Sequence, residues 1–193
     1  MKKVLFSLFA LVIAATAVSA QTKWDLDKAH TKIGFSVSHM TISEVEGSFQ
    51  EFDGGVTSSS DDFDGAEITF TAKTASIDTD VEQRNEHLKS EDFFNVAKYP
   101  ELTFKGKLKK SGKKYKLTGD FTLLGVTKTV TFDVKYNGTV VDPYGNTKAG
   151  FQITGTIDRT EYGMKWNATL DAGGLLVGEE VEITSNVELQ KKA

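Results

Sequence analysis

From Ile33 onward the chain alternates apolar and polar residues with a period of two. Ile33, Phe35, Val37 and His39 share one parity, separated by Gly34, Ser36 and Ser38. Ile68, Phe70 and Ala72 alternate with Glu67, Thr69, Thr71 and Lys73, and Leu102, Phe104 and Leu108 alternate with Lys105, Lys107 and Lys109. The pattern returns at Leu117, Phe121 and Leu123, at Val130, Phe132, Val134 and Tyr136, at Phe151, Ile153 and Ile157, and at Val181, Ile183, Val187 and Leu189. Successive side chains of a strand point to opposite faces, so these runs predict strands with one buried face. Their β-branched and aromatic content agrees.

Turn residues fall between the runs: Asp53-Gly54-Gly55, Asp64-Gly65, Ser111-Gly112, Asn137-Gly138 and Asp142-Pro143-Tyr144-Gly145. Seven to nine regularly spaced strands point to a closed barrel or a sandwich. The thirteen Phe of the chain favour the barrel, whose walls they suit. One segment departs from the period. Asp80-Val81-Glu82-Gln83 reads as a capping box, with Asp80 accepting from the Gln83 amide. Lys89 stands where a helix dipole favours positive charge, and Ser90 is placed to cap a second short turn through Phe94. Tyr99-Pro100 closes the excursion. A helical insertion of about two turns, over residues 81–95, is therefore predicted to interrupt an otherwise all-β chain.

Composition and charge narrow the picture. Lys2 and Lys3 precede an almost unbroken apolar run from Val4 to Val18, and Val18-Ser19-Ala20 offers small residues for cleavage. That is the layout of a secretory signal peptide cleaved after Ala20. The run is short of the roughly 20 residues a spanning helix needs, and no Cys follows it to carry a lipid anchor. Residues 1–20 are thus read as signal and 21–193 as one domain, with export to the periplasm expected. Removing the leader takes the formal charge from −4 to −6. An acidic chain is a poor match for nucleic-acid phosphates. With no cysteine, the fold must rest on its core.

Ordered blocks along the chain carry a resemblance. Trp24-Asp25-Leu26-Asp27, His30 and Ile33 to Met40 open it, and Glu82 to Phe94 with Lys98-Tyr99-Pro100 and Phe104 continue it. Leu124-Gly125-Val126-Thr127-Lys128 follows, then Asp142-Pro143-Tyr144-Gly145, Ala149-Gly150-Phe151, Asp158-Arg159, Tyr162-Gly163-Met164, Trp166-Asn167, Gly173-Gly174 and Val177-Gly178. Together these resemble the YceI family across the whole chain after the leader. The resemblance implies an extended lipocalin-like barrel of eight antiparallel strands with a short helix near one mouth. It also implies a polyisoprenoid or similar long lipid threaded through the interior. Two departures are mild: Thr31 stands where the family commonly has Ser, and Asn95 where it commonly has Asp.

Candidate site residues follow from parity and resemblance together. Phe35, Val37, His39, Ile68, Phe70, Phe104, Phe121, Leu123, Phe132, Phe151, Ile153 and Trp166 are the expected ligand-binding walls. Taken from composition alone, the same residues favour a filled core; the resemblance reverses that and implies walls of a hollow. Each buried CH₂ contributes roughly 0.8 kcal/mol, so a prenyl tail needs no polar contact. On the helix, Arg84 and His87 share a face and are candidates for a polar head group, with Phe93 and Phe94 closing over the pocket; alternatively Arg84 pairs with a nearby carboxylate. His39 either faces the interior or bonds to backbone at a strand end.

Other chemistries find little purchase. His30 and His39 lie about 30 Å apart if extended, and no paired His at helical spacing suggests a metal. There is no Cys nucleophile, no GxSxG and no phosphate loop. Gly173-Gly174 precedes a strand rather than the helix that phosphate binding needs. No catalytic residue, metal or required cofactor is expected, only a bound polyisoprenoid, of quinone or prenyl phosphate type. The competing readings are an enzyme using His39 and Arg84 on a hydrophobic substrate, and a stress-response module that contacts membranes. The second rests on Lys105, Lys107, Lys109, Lys110, Lys113, Lys114 and Lys116, which crowd one hairpin tip. These lysines either dock anionic lipid or simply keep the hairpin solvated. A homodimer is compatible with the sequence.

Overall fold

The computed structural model describes residues 21–170 and 173–192; the expected signal segment, residues 1–20, lies outside them. Eleven strand segments are formed: β1 Thr22–Leu26, β2 Lys32–His39, β3 Ser43–Phe49, β4 Phe52–Ser58, β5 Glu67–Lys73, β6 Ile77–Asp78, β7 Glu101–Ser111, β8 Lys114–Leu123, β9 Val126–Val141, β10 Thr147–Asp158 and β11 Val177–Lys191. One α-helix, α1, spans Glu82–Lys89. All strand pairings are antiparallel, and β1 pairs with both β4 and β11, which closes the sheet.

The eleven segments make eight staves. β1 and β2 both pair with β11 and run as one bent stave; β3 and β4 form the next, and β5 and β6 the third. With β7 to β11 they give an eight-stranded up-and-down barrel. The bends are neighbours in the sheet: Gln50 donates to Ser76 O (3.0 Å), and Glu51 N to Ser76 Oγ (2.9 Å). At the first bend the buried Thr31 hydroxyl accepts from Glu188 N (3.1 Å) and donates to Glu188 O (3.3 Å). A hydroxyl is what that position requires, and Thr supplies it as Ser would. Asn95 sits at φ 44°, a left-handed geometry that Asn tolerates as Asp does.

Meander connectivity sorts the loops by end. The 40–42 turn, the 79–100 excursion, the 124–125 turn and the 159–170 and 173–176 segments lie at one end, the helix end. The 59–66 loop and the β7–β8 and β9–β10 hairpins lie at the other, the hairpin end.

Three local expectations are corrected. Asp53-Gly54-Gly55 is not a turn but the interior of β4. Asn137-Gly138 is a bulge in β9: Gly150 faces Gly138 while Phe151 faces Tyr136, leaving Asn137 unmatched. Helix α1 is shorter than 81–95, and its N-cap is Val81, without a side-chain cap bond. Asp80 turns left-handed instead (φ 61°) and its amide donates to Asp78 Oδ1 (3.0 Å). The buried Asn85 ties the helix to the preceding loop, accepting from Thr79 N (2.8 Å) and Thr79 Oγ1 (2.7 Å) and donating to Asp78 (2.9 Å). Ser90 does organise the following turn, accepting from Asp92 N (3.3 Å) through its hydroxyl.

Candidate functional site: the barrel lumen

The inward parity of the staves does not close on itself. It surrounds a cavity of about 160 Å³, the scale on which a dry apolar hollow accepts a benzene-sized guest. Of the predicted wall residues, Phe35, Ile68, Phe70, Phe104, Phe121, Phe132, Phe151 and Ile153 line it. Leu102, Leu108, Leu117, Ile183 and Val187, read as buried-face positions but not as ligand contacts, complete the wall with Phe49, which the sequence reading left out. No Lys, Arg, His, Asp or Glu lines it among the described residues.

Inward glycines explain why so many rings leave a hollow. A Cβ at Gly155 would stand 2.5 Å from Phe132 Cδ1, and one at Gly106 would stand 2.6 Å from Phe104 Cζ. A Cβ at Gly47 would meet Phe35 Cε1 at 2.8 Å. Each ring therefore lies over a glycine and flat against the wall, where a larger neighbour would tip it into the lumen.

Both ends are stopped by aromatic side chains. At the hairpin end Phe63 (1% exposed) packs on Trp24, Tyr136 and Phe151 with centroids 5.1, 5.6 and 5.0 Å away. Its loop is pinned to the lysine hairpin: Lys110 Nζ donates to Asp62 (2.7 Å), Lys110 N to Asp64 (2.9 Å), and Tyr115 Oη to Asp62 O (2.8 Å). The Lys110 ammonium, with the Ser60 hydroxyl, holds the Asp62 carboxyl well below the usual range. At the helix end Phe94 stands edge-on to Phe49 (5.7 Å), and Tyr162 edge-on to Phe121 (5.6 Å). The Tyr162 hydroxyl is buried without a hydrogen-bond partner, and burial pushes its pKa up.

The remaining predicted residues do not reach the cavity wall. Val37 and His39 continue the inward parity of β2 toward the helix end, and the buried Leu123 lies at the end of β8. Phe93, His87 and Trp166 form a cluster of their own, each pair of rings 4.9–5.1 Å apart. His87 is also bonded to Asp92 (2.9 Å). Among the described residues Arg84 pairs with no carboxylate and does not line the cavity: Nε donates to Thr79 Oγ1 (2.8 Å) and Nη2 to Thr79 O (2.6 Å). It ties the helix to the loop before it.

One polar cluster lies outside the lumen. Asp27, His30 and Glu188 bring ligand atoms within 4.8 Å of one another, a convergence the sequence spacing did not announce. The Lys148 ammonium bridges Asp27 and Glu188, so the carboxylates already have a cation. That bond, aided by His30, lowers Asp27 to about 2.

A closed antiparallel barrel with an apolar lumen and a helix across one end defines a lipocalin-like class of protein. A YceI-like domain model matches residues 24–189, and the chain belongs to that family. A UPF0312 protein of Pectobacterium carotovorum is 40% identical over 192 residues, covering 97% of each chain. A UPF0312 protein of Staphylococcus aureus is 38% identical over 168 residues, 86% of this chain and 96% of that one. Among solved structures, the Campylobacter jejuni YCEI protein is similar with TM-score 0.69 and 31% identity, covering 87% of this chain and 97% of its own. Burkholderia cenocepacia BcnA gives TM-score 0.73 at 24% identity, covering 85% and 99%. A Saccharophagus degradans domain described as polyisoprenoid-binding gives 0.63 at 14%, covering 88% and 98%.

Proposed function

We propose that this protein is a periplasmic carrier or store for a long-chain isoprenoid lipid held in the barrel lumen. The observation that carries the reading is the uncharged wall: aromatic and aliphatic side chains surround the hollow without one ionisable group among the described residues. The description of the Saccharophagus degradans domain as polyisoprenoid-binding supports the same cargo class. A hydrocarbon tail gains from burial alone, whereas a phosphate buried against this wall would be an unpaired charge costing many kcal/mol. The wall therefore favours a neutral isoprenoid, such as a quinone, over a prenyl phosphate. A cavity of about 160 Å³ admits a slender chain only as end residues such as Phe63 and Phe94 swing aside. Neither His39 nor Arg84 lines the cavity, which weighs for carriage over catalysis. Mass spectrometry of an organic extract of the natively produced protein tests the reading.

A second role, contact with an anionic membrane, is favoured at the hairpin end. Val140, Val141 and Tyr144 are 65%, 67% and 90% exposed at the β9–β10 tip. Among the described residues Lys109, Lys113 and Lys114 on the adjoining hairpin make no ion pair, while Lys107, Lys110 and Lys116 do. An apolar prong beside unpaired lysines suits a bilayer with negative head groups. Co-flotation with phosphatidylglycerol vesicles at low salt is the expected result, weakened by K109E/K113E/K114E and by high salt. Equal recovery with neutral vesicles, or no effect of the substitutions, would dismiss the contact.

A further inference from the structure

Within the apolar wall one polar side chain is turned inward. Ser185 shares the inward parity of Ile183, Val187 and Leu189 on β11 and lines the cavity, and it is 4% exposed. It lies within the staves and not at either end, paired across to Ile33 on β2 and Ile153 on β10. Thr69, which also borders the cavity, has the opposite parity to Ile68 and Phe70 and presents backbone. Other buried hydroxyls and amides are bonded: Thr31 to Glu188, Thr74 to Tyr99 O (2.7 Å), Asn85 to Thr79 and Asp78. Ser185 makes no side-chain hydrogen bond among the described residues. Its hydroxyl is not sealed in as that of Tyr162 is, and the space it faces is the lumen.

Packing does not account for a serine there. A buried hydroxyl without a partner costs about 1–3 kcal/mol, and Ala or Val would fill the position without that cost. We infer that Ser185 is the polar subsite of the lumen, hydrogen-bonding an uncharged oxygen of the cargo. A serine hydroxyl both donates and accepts, so an alcohol or a carbonyl satisfies it. With no ammonium or guanidinium on the wall, an anionic oxygen is not matched. The inference rests on the carrier reading and extends it in two respects. The cargo is an isoprenoid bearing a neutral oxygen, and that oxygen enters between the staves instead of staying at a mouth.

The test compares two probes of the same carbon skeleton, farnesol and the hydrocarbon farnesene, binding to delipidated full-length protein. Wild type is expected to prefer farnesol. Ser185→Ala should weaken farnesol about fivefold, the size of one neutral hydrogen bond, and leave farnesene unchanged. Ser185→Thr, which keeps the hydroxyl, should retain the preference. An equal loss for both probes would mean that the serine only shapes the wall, and no change for either would mean that it contacts nothing; both overturn the subsite and leave the carrier standing. Binding of neither probe to wild type would overturn the carrier reading and the subsite together.

Discussion

Gly155 shows how a single residue keeps the barrel open. It holds the same inward parity as Phe151, Ile153 and Ile157, and the Phe132 ring occupies the place its side chain would take. Gly155→Val should push that ring into the lumen. The expected cost is about 1–3 kcal/mol, as for other overpacked interiors, with ligand capacity reduced alongside. Urea unfolding and a farnesol titration on the same variant check both effects; a destabilised variant with undiminished binding would separate the glycine from the hollow. The feature was legible in the sequence. Three inward runs skip one position, between Phe104 and Leu108, between Leu117 and Phe121, and between Ile153 and Ile157, and the skipped residue is Gly106, Gly119 or Gly155. Reading glycine only as a turn former hid it, and the same habit placed turns at Gly54 and Gly138, which lie inside strands.

At the scale of elements, the segment from 159 to 166 and its return into β11 at Val177 and Gly178 depend on one buried cation. Arg159, 2% exposed, donates to Gly178 O (2.7 Å), Met164 O (2.9 Å), Trp166 O (3.0 Å) and Val177 O (3.3 Å). Burial pulls its guanidinium below the usual arginine range. Arg159→Met should cost about 3 kcal/mol, since several buried carbonyls lose their donors. Hydrogen exchange should then rise in residues 163–168 and 176–178 while β7 to β9 stay protected. Arg159→Lys should not rescue, because one ammonium lacks the planar fork that reaches four carbonyls. Unchanged exchange in those residues would refute the role. Strands were readable here because alternation records burial directly. The Arg159 contacts were not, since they depend on β11 backbone brought near by the closed barrel. The Asn85 and Arg84 bonds to Thr79 were not either, since they depend on the left-handed turn at Asp80.

For the whole molecule, the same alternation describes a filled barrel and a hollow one, because parity gives the face of a side chain but not how far it reaches across. Eight staves make an interior that side chains are just able to fill. Here rings lie over glycines along the wall, and the space they leave is bordered by hydrocarbon and one serine. Strand count shows the same limit: the stave made of β3 and β4 gave no apolar run, because glycines at Gly47 and Gly54 interrupt its inward positions. The account stands on the lumen being occupied in the cell. The protein, purified from its native host without detergent, should release a neutral isoprenoid on organic extraction, close to one molecule per chain by mass spectrometry. Extracts holding no stoichiometric lipid, or only lipids without an isoprenoid chain, would contradict it.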